Sequence, residues 1–117
     1  MKFSLIICTY QRPKPLLQLL QSVQEQTLYP DEILIIDGST NEATQFILEQ
    51  NHFQNVHYFL VPKEHRGLTK QRNFGIARVS KDNDVVCFLD DDTVLSADYF
   101  EQLLSTYQKY PDALGVG

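Results

Sequence analysis

Four short apolar runs recur along the chain, separated by stretches in which apolar and polar positions alternate at helical spacing. The runs cover residues 3–8, 32–36, about 56–61 and 85–89. Each is rich in β-branched or aromatic residues and nearly continuous, which predicts strands covered on both faces, as in a parallel sheet. Behind Pro13 and Pro15, Leu16, Leu17, Leu20 and Val23 share one side of a predicted helix, and proline suits its first turn. Ser39 and Glu42 read as a capping box for a second helix with Ala43, Phe46, Ile47 and Gln50 on one face. Gly67 precedes a third helix, with Phe74 and Ala77 on its apolar side. Ser96 is placed to cap a fourth, whose face is Phe100, Leu103, Leu104 and Tyr107. Strand and helix thus alternate four times. That order predicts an α/β fold, a mostly parallel, doubly wound, Rossmann-like sheet with helices on both faces.

Composition narrows the class without changing the fold. A chain of 117 residues supports one domain, and 43% hydrophobic with 21% charged residues is ordinary for a globular protein. The net charge of −5, with Lys and Arg scattered, argues against a nucleic-acid partner. The apolar start, Phe3 to Cys8, is too short for a signal peptide or a membrane span. A cytoplasmic location is therefore expected, extending to the inner face of the membrane. Cys8 and Cys87 lie inside apolar runs and read as buried thiols. His52, His57 and His65 have no zinc-type spacing. Neither a G-x-x-x-x-G-K-[ST] loop nor a G-x-G-x-x-G turn is present. Residues 113–117, Ala-Leu-Gly-Val-Gly, read as the start of a fifth strand that is cut short at Gly117, so an incomplete domain that continues past Gly117 is expected.

Chemistry concentrates where the strands end. Thr9, Tyr10 and Arg12 follow the first, Asp37 and Ser39 the second, and Asp90, Asp91 and Asp92 the fourth. In a parallel sheet all three groups open on one edge, where α/β folds bind ligands. Singly, each has a bland reading as strand end, turn or helix cap. Three adjacent carboxylates repel one another, and a hard cation such as Mn²⁺ or Mg²⁺ is their usual compensation. Asp92 is the candidate metal ligand, with Asp90 assisting. Asp37 and Asp90 suit ribose or base contacts. Alternation along an extended strand turns Asp91 elsewhere, as a sugar contact or a solvated carboxylate. Arg72 on the third helix is placed to meet a phosphate or pair with an aspartate; alone it reads as a surface ion pair.

Four segments carry a family resemblance: Ser4-Leu5-Ile6-Ile7-Cys8-Thr9-Tyr10-Gln11-Arg12, Glu32-Ile33-Leu34-Ile35-Ile36-Asp37-Gly38-Ser39-Thr40, Gly67-Leu68-Thr69-Lys70-Gln71-Arg72-Asn73 and Phe88-Leu89-Asp90-Asp91-Asp92-Thr93. In order and spacing the chain resembles the amino-terminal, nucleotide-binding part of a family-2 inverting glycosyltransferase with the GT-A fold. The resemblance implies that Thr9 and Asp37 hold base and ribose, and that Arg72 and Asn73 lie near the nucleotide. It implies that Asp90-x-Asp92 is the D-x-D motif, with Asp92 on the metal. The implied partners are a nucleotide-diphospho-sugar donor, a UDP-sugar first among them, and a saccharide or other hydroxyl acceptor. Two features depart from the family. Ile36 stands where a first aspartate usually precedes Asp37. The family's catalytic base, well past the D-x-D, has no counterpart in residues 93–117. The general base is therefore expected beyond Gly117, and nucleotide binding without efficient transfer is expected of the chain itself.

Three other readings compete. Asp90-Asp91-Asp92-Thr93-Val94 matches the D-x-D-x-[TV] motif of haloacid-dehalogenase-type phosphohydrolases, where the first aspartate is the nucleophile. That motif normally sits on the first strand and needs a downstream lysine and further acids; here it is on the fourth, with only Lys109 and Asp112 near the end. A receiver-like signalling module would place an acidic pair after the first strand, where this chain has Thr9-Tyr10-Gln11. A degenerate transferase that only binds nucleotide is the third.

Overall fold

The computed structural model describes residues 2–109. Strands β1 (Phe3–Thr9), β2 (Glu32–Asp37), β3 (Val56–Leu60) and β4 (Val85–Asp90) form one parallel sheet in the order β3-β2-β1-β4. Helices α1 (Pro13–Gln24), α2 (Ala43–Gln50), α3 (Leu68–Ile76) and α4 (Tyr99–Lys109) connect and cover it. A single 3-10 turn at Lys63–His65 leads into α3. The predicted architecture is the observed one. The expected fifth strand at residues 113–117 lies outside the described residues, and so does Gly117, the point beyond which the sequence places a general base.

Alternation along β1 explains the two layers. Phe3, Leu5 and Ile7 face one side, where they pack with Leu16, Leu19, Leu20 and Val23 of α1 and with Phe100, Leu103 and Leu104 of α4. Ile6 faces the other side, with Leu34, Ile36 and Val61, and Phe74 of α3 packs on that cluster. Gly75 lets α3 lie close there, since a Cβ at that position would come within 3.0 Å of the Ile6 side chain. The chain runs β1 to β2 to β3 in one direction and then returns to place β4 beside β1. The β1/β4 boundary is therefore the topological switch point, where such sheets open a ligand crevice beyond their carboxyl ends.

Local details differ from the sequence reading where tertiary partners override local pattern. In α1 it is Leu19 that is fully buried, while Leu17 is only half-buried. No capping box forms at Ser39 and Glu42. The Ser39 hydroxyl is engaged by Asp37 and by the Gln11 amide, so α2 starts later, at Ala43, whose amide donates to Asn41 Oδ1 at 3.1 Å. The α2 face also rotates: Thr44 is buried and Phe46 is 61% exposed. In α3 the buried positions are Gln71 and Gly75, and Ala77 is exposed. Ser96 does not cap α4, which begins at Tyr99. Gln26 serves instead, its Oε1 accepting from the Phe100 amide at 3.1 Å while its Nε2 donates to the Ser96 carbonyl. None of these shifts moves a strand.

Candidate functional site

Register sets the site. Thr9 pairs with Asp37 across β1/β2, and Cys8 pairs with Asp90 across β1/β4, so the polar ends of three strands share one edge, as the sequence predicts. A cleft of about 650 Å³ opens there. One wall is the end of β1, with Cys8, Thr9, Tyr10 and Arg12; another is the aspartate triplet at the end of β4. The third wall is the start of α3: Arg66, Gly67, Leu68 and Gln71. Beyond Arg66 a second groove of about 390 Å³ runs past Ser39 to Glu42 and Leu60 to Pro62.

The triplet divides differently from the strand alternation. β4 ends at Asp90, and the chain turns there, the Thr93 amide donating to the Asp90 carbonyl at 3.2 Å. Asp91 therefore swings inward. It is 8% exposed and accepts a hydrogen bond from Thr9 Oγ1 at 2.8 Å. The solvated-carboxylate reading of Asp91 is corrected by this geometry. Asp90 and Asp92 remain exposed in the cleft. Arg12 Nη1 lies 3.5 Å from Asp91 and 3.6 Å from Asp92, the two ion pairs found among the described residues. A guanidinium over clustered carboxylates offsets their repulsion, though weakly at an exposed position.

Asp37 and Ser39 are placed at the edge but turned inward. Asp37 is fully buried; its Oδ1 accepts from the Ser39 amide at 2.9 Å and from the Ser39 hydroxyl, and its Oδ2 accepts from Tyr58 OH at 2.6 Å. Burial raises the Tyr58 hydroxyl pKa above its ordinary value, and the Asp37 carboxylate raises it further, so Tyr58 stays a donor. The Gln11 amide donates to Ser39 Oγ at 2.7 Å, from a residue at φ 50°, which ties the turn after β1 to that after β2. Arg72 and Asn73 are not brought to the cleft wall. Arg72 lies over the Phe88 ring, 5.5 Å from its centroid, and no aspartate pairs with it among the described residues; Asn73 is exposed on α3. Arg66, Gly67, Leu68 and Gln71 line the cleft instead. Sequence reasoning missed them, although a glutamine four residues before a glycine on a helix that must pack on a sheet was an available signal.

The donor set bears on the metal question. Among the described residues no three of His, Cys, Asp and Glu converge into a closed metal cluster. Mg²⁺ and Mn²⁺ in nucleotide sites are characteristically held by one or two carboxylates, with phosphate oxygens and water completing the shell. Asp90 and Asp92, exposed oxygen donors at the open cleft, fit that requirement, whereas Asp91 is committed to Thr9. Burial pushes the neighbouring Cys8 thiol up to about 11; Asp90 and Asp91 act in the same sense and Arg72 opposes them. It is a neutral thiol at ordinary pH.

Cys87, beneath the sheet's other face, gives a pH prediction. Burial raises its pKa from 9.0 to about 11, so between these values the unfolded chain loses the proton and the folded chain keeps it. Its contribution to stability is therefore complete below pH 9 and lost as pH rises through 11. Urea midpoints should fall across that window, and the fall should be shallower in Cys87→Ala.

Comparison with known proteins agrees with this frame. The S. aureus TarS fragment crystallised with UDP-GlcNAc superposes with a TM-score of 0.78 at 23% identity, over 95% of this chain and 32% of that one. A mannosyltransferase from Pyrobaculum calidifontis, in complex with GDP-Man and Mn²⁺, superposes at 0.68 and 22% identity, over 99% of this chain and 34% of that one. These matches define an α/β domain of the GT-A type. The chain belongs to glycosyl transferase family 2, whose model matches residues 4–117. A glucosyl-dolichyl phosphate glucuronosyltransferase of Haloferax volcanii is 33% identical over 100% of this chain and 37% of its own length. The chain thus spans less than half the length of the curated relatives it matches. Among the described residues no helix is long and apolar enough to cross a membrane.

Proposed function

We propose that this chain forms the donor site of a glycosyl transfer, binding a nucleotide-diphospho-sugar, a UDP-sugar first among them, together with Mn²⁺ or Mg²⁺. The observation that carries the reading is the crevice at the β1/β4 switch point, where exposed Asp90 and Asp92 stand beside the Thr9–Asp91 pair and Arg12. Tyr10, 53% exposed, offers a ring face to a base. Thr9, with Asp37 and Ser39 behind it, shapes the base and ribose end. Asp92 is the metal ligand and Asp90 serves ribose or metal. Arg12 is within reach of a diphosphate, and Asp91 positions Thr9 and Arg12. Arg72 adds positive charge behind Cys8, with Asn73 beside it on α3. A divalent cation bound there would stabilise charge on the departing diphosphate. UDP-GlcNAc and GDP-Man with Mn²⁺ in the structural neighbours support the ligand class.

Inverting transfer also requires a carboxylate base for the acceptor hydroxyl. Asp98 and Glu101 are not among the residues that line the cleft. That base is proposed to lie beyond Gly117, outside the described residues. The acceptor class is a saccharide or other hydroxyl compound, and the location proposed with it is cytoplasmic, extending to the inner face of the membrane. The hydrolase reading has no support among these relatives. The deciding experiment is titration with UDP, GDP and dTDP in Mn²⁺, paired with an assay of phosphate release from phosphomonoesters. Metal-dependent binding of a nucleoside diphosphate, without phosphatase activity, is the expected result. Phosphatase activity that depends on Asp90 would overturn it.

A further inference from the structure

We propose that Gln71 is a positioning residue, a clamp that holds the start of α3 against the ends of β1 and β2 and so sets the donor cleft. The proposal rests on the donor-site reading above. Gln71 is 5% exposed on the helix face that meets the sheet, where a polar side chain is ordinarily disfavoured. Three of the four hydrogen-bonding positions of its side-chain amide are used. Nε2 donates to the carbonyls of Thr9 at 3.1 Å and Ile36 at 2.9 Å, and Oε1 accepts from the Gly67 amide at 3.1 Å. The partners fix the amide's orientation, because two carbonyls require the NH₂ group and one N–H requires the oxygen.

Three parts of the cleft thereby meet in one side chain. Thr9 is held through its carbonyl while its hydroxyl holds Asp91. Ile36 is the last residue before Asp37. Gly67, at φ 113°, is the residue from which α3 departs, and its own carbonyl accepts from the Gln71 backbone N–H at 2.8 Å. The strand end also makes room: a Cβ at Gly38 would lie 2.8 Å from Gln71 Oε1. The contacts therefore couple the Arg66–Gly67 wall to the Thr9–Asp91 wall through hydrogen bonds, beyond filling space.

The test compares wild type with Gln71→Met, which keeps the volume and removes the hydrogen bonds, and with Gly38→Ala, which removes no polar group but strikes Oε1. Two quantities are read: UDP affinity in Mn²⁺ by calorimetry, and amide hydrogen exchange at Gly67 relative to β1. Gln71→Met should weaken UDP by about tenfold or more and speed exchange at Gly67 while β1 stays protected. Gly38→Ala should act in the same direction, and its effect should shrink once Gln71 is also replaced by alanine. If Gln71→Met does not fold, Gly38→Ala carries the test by itself, read by the same UDP affinity and the same exchange at Gly67. A residue that only stabilised the fold would lower the urea midpoint and leave UDP affinity unchanged. Affinity within about twofold of wild type, with unchanged exchange at Gly67, overturns the clamp. A wild-type chain indifferent to UDP overturns the donor reading instead, and the exchange at Gly67 still decides whether the clamp exists.

Discussion

Asp92→Ala is expected to abolish metal-dependent nucleotide binding while changing stability by no more than about 0.5 kcal/mol. The two effects separate because of where the side chain stands. Asp92 is 62% exposed at the mouth of the cleft, and its one ion-pair partner among the described residues is Arg12, 3.6 Å away and itself 55% exposed. An ion pair of that kind contributes little to folding. A hard cation bridging protein and diphosphate, by contrast, depends on the few carboxylates it has. Asp90→Ala should weaken binding less completely if Asp90 shares the metal or meets the ribose. Denaturation curves and calorimetric titrations on the same samples check both halves. A destabilised Asp92→Ala that still binds nucleotide with metal would contradict the division of the triplet.

The largest effect on stability should come from the far end of the described chain. Phe100 in α4 is fully buried and packs on Phe3 of β1, with ring centroids 5.1 Å apart and planes tilted by 47°. Tyr99 meets the same ring edge-on at 5.4 Å. Phe100→Ala removes a large side chain from a closed cluster whose neighbours, Leu5, Ile7 and Leu20 among them, are anchored in strands or helix. Such cavities cost about 3–5 kcal/mol. Much of a domain's net stability is of that size, so a large drop in urea midpoint is expected. Phe46→Ala, 61% exposed on α2, is the control and should change little.

The contrast between Phe46 and Phe100 shows what pattern can and cannot tell. Continuous apolar runs made the strands legible to within a residue, because burial on both faces leaves little choice of side chain. Helix limits and faces were less legible, because they depend on partners distant in sequence. Ser39 looked like a cap but is spent on Asp37 and Gln11, and Gln26 reaches across to do what Ser96 was expected to do. The site followed the same rule. That Thr9, Asp37 and the triplet share an edge was readable from strand order alone. The inward turn of Asp91 was not, since alternation holds only while the strand lasts and β4 stops at Asp90. Gln71 was missed for a related reason: its spacing to Gly75 was a signal, but a polar residue on a helix reads as solvent-facing until the carbonyls beneath it are known.

The central claim is that the crevice between β1 and β4 is a metal-dependent nucleotide-diphosphate site. The most direct measurement is calorimetric titration of the wild-type chain with UDP, once with Mn²⁺ and once with a chelator. Saturable binding that requires Mn²⁺ is the predicted result, whereas no binding, or binding of equal affinity with the metal removed, would contradict it.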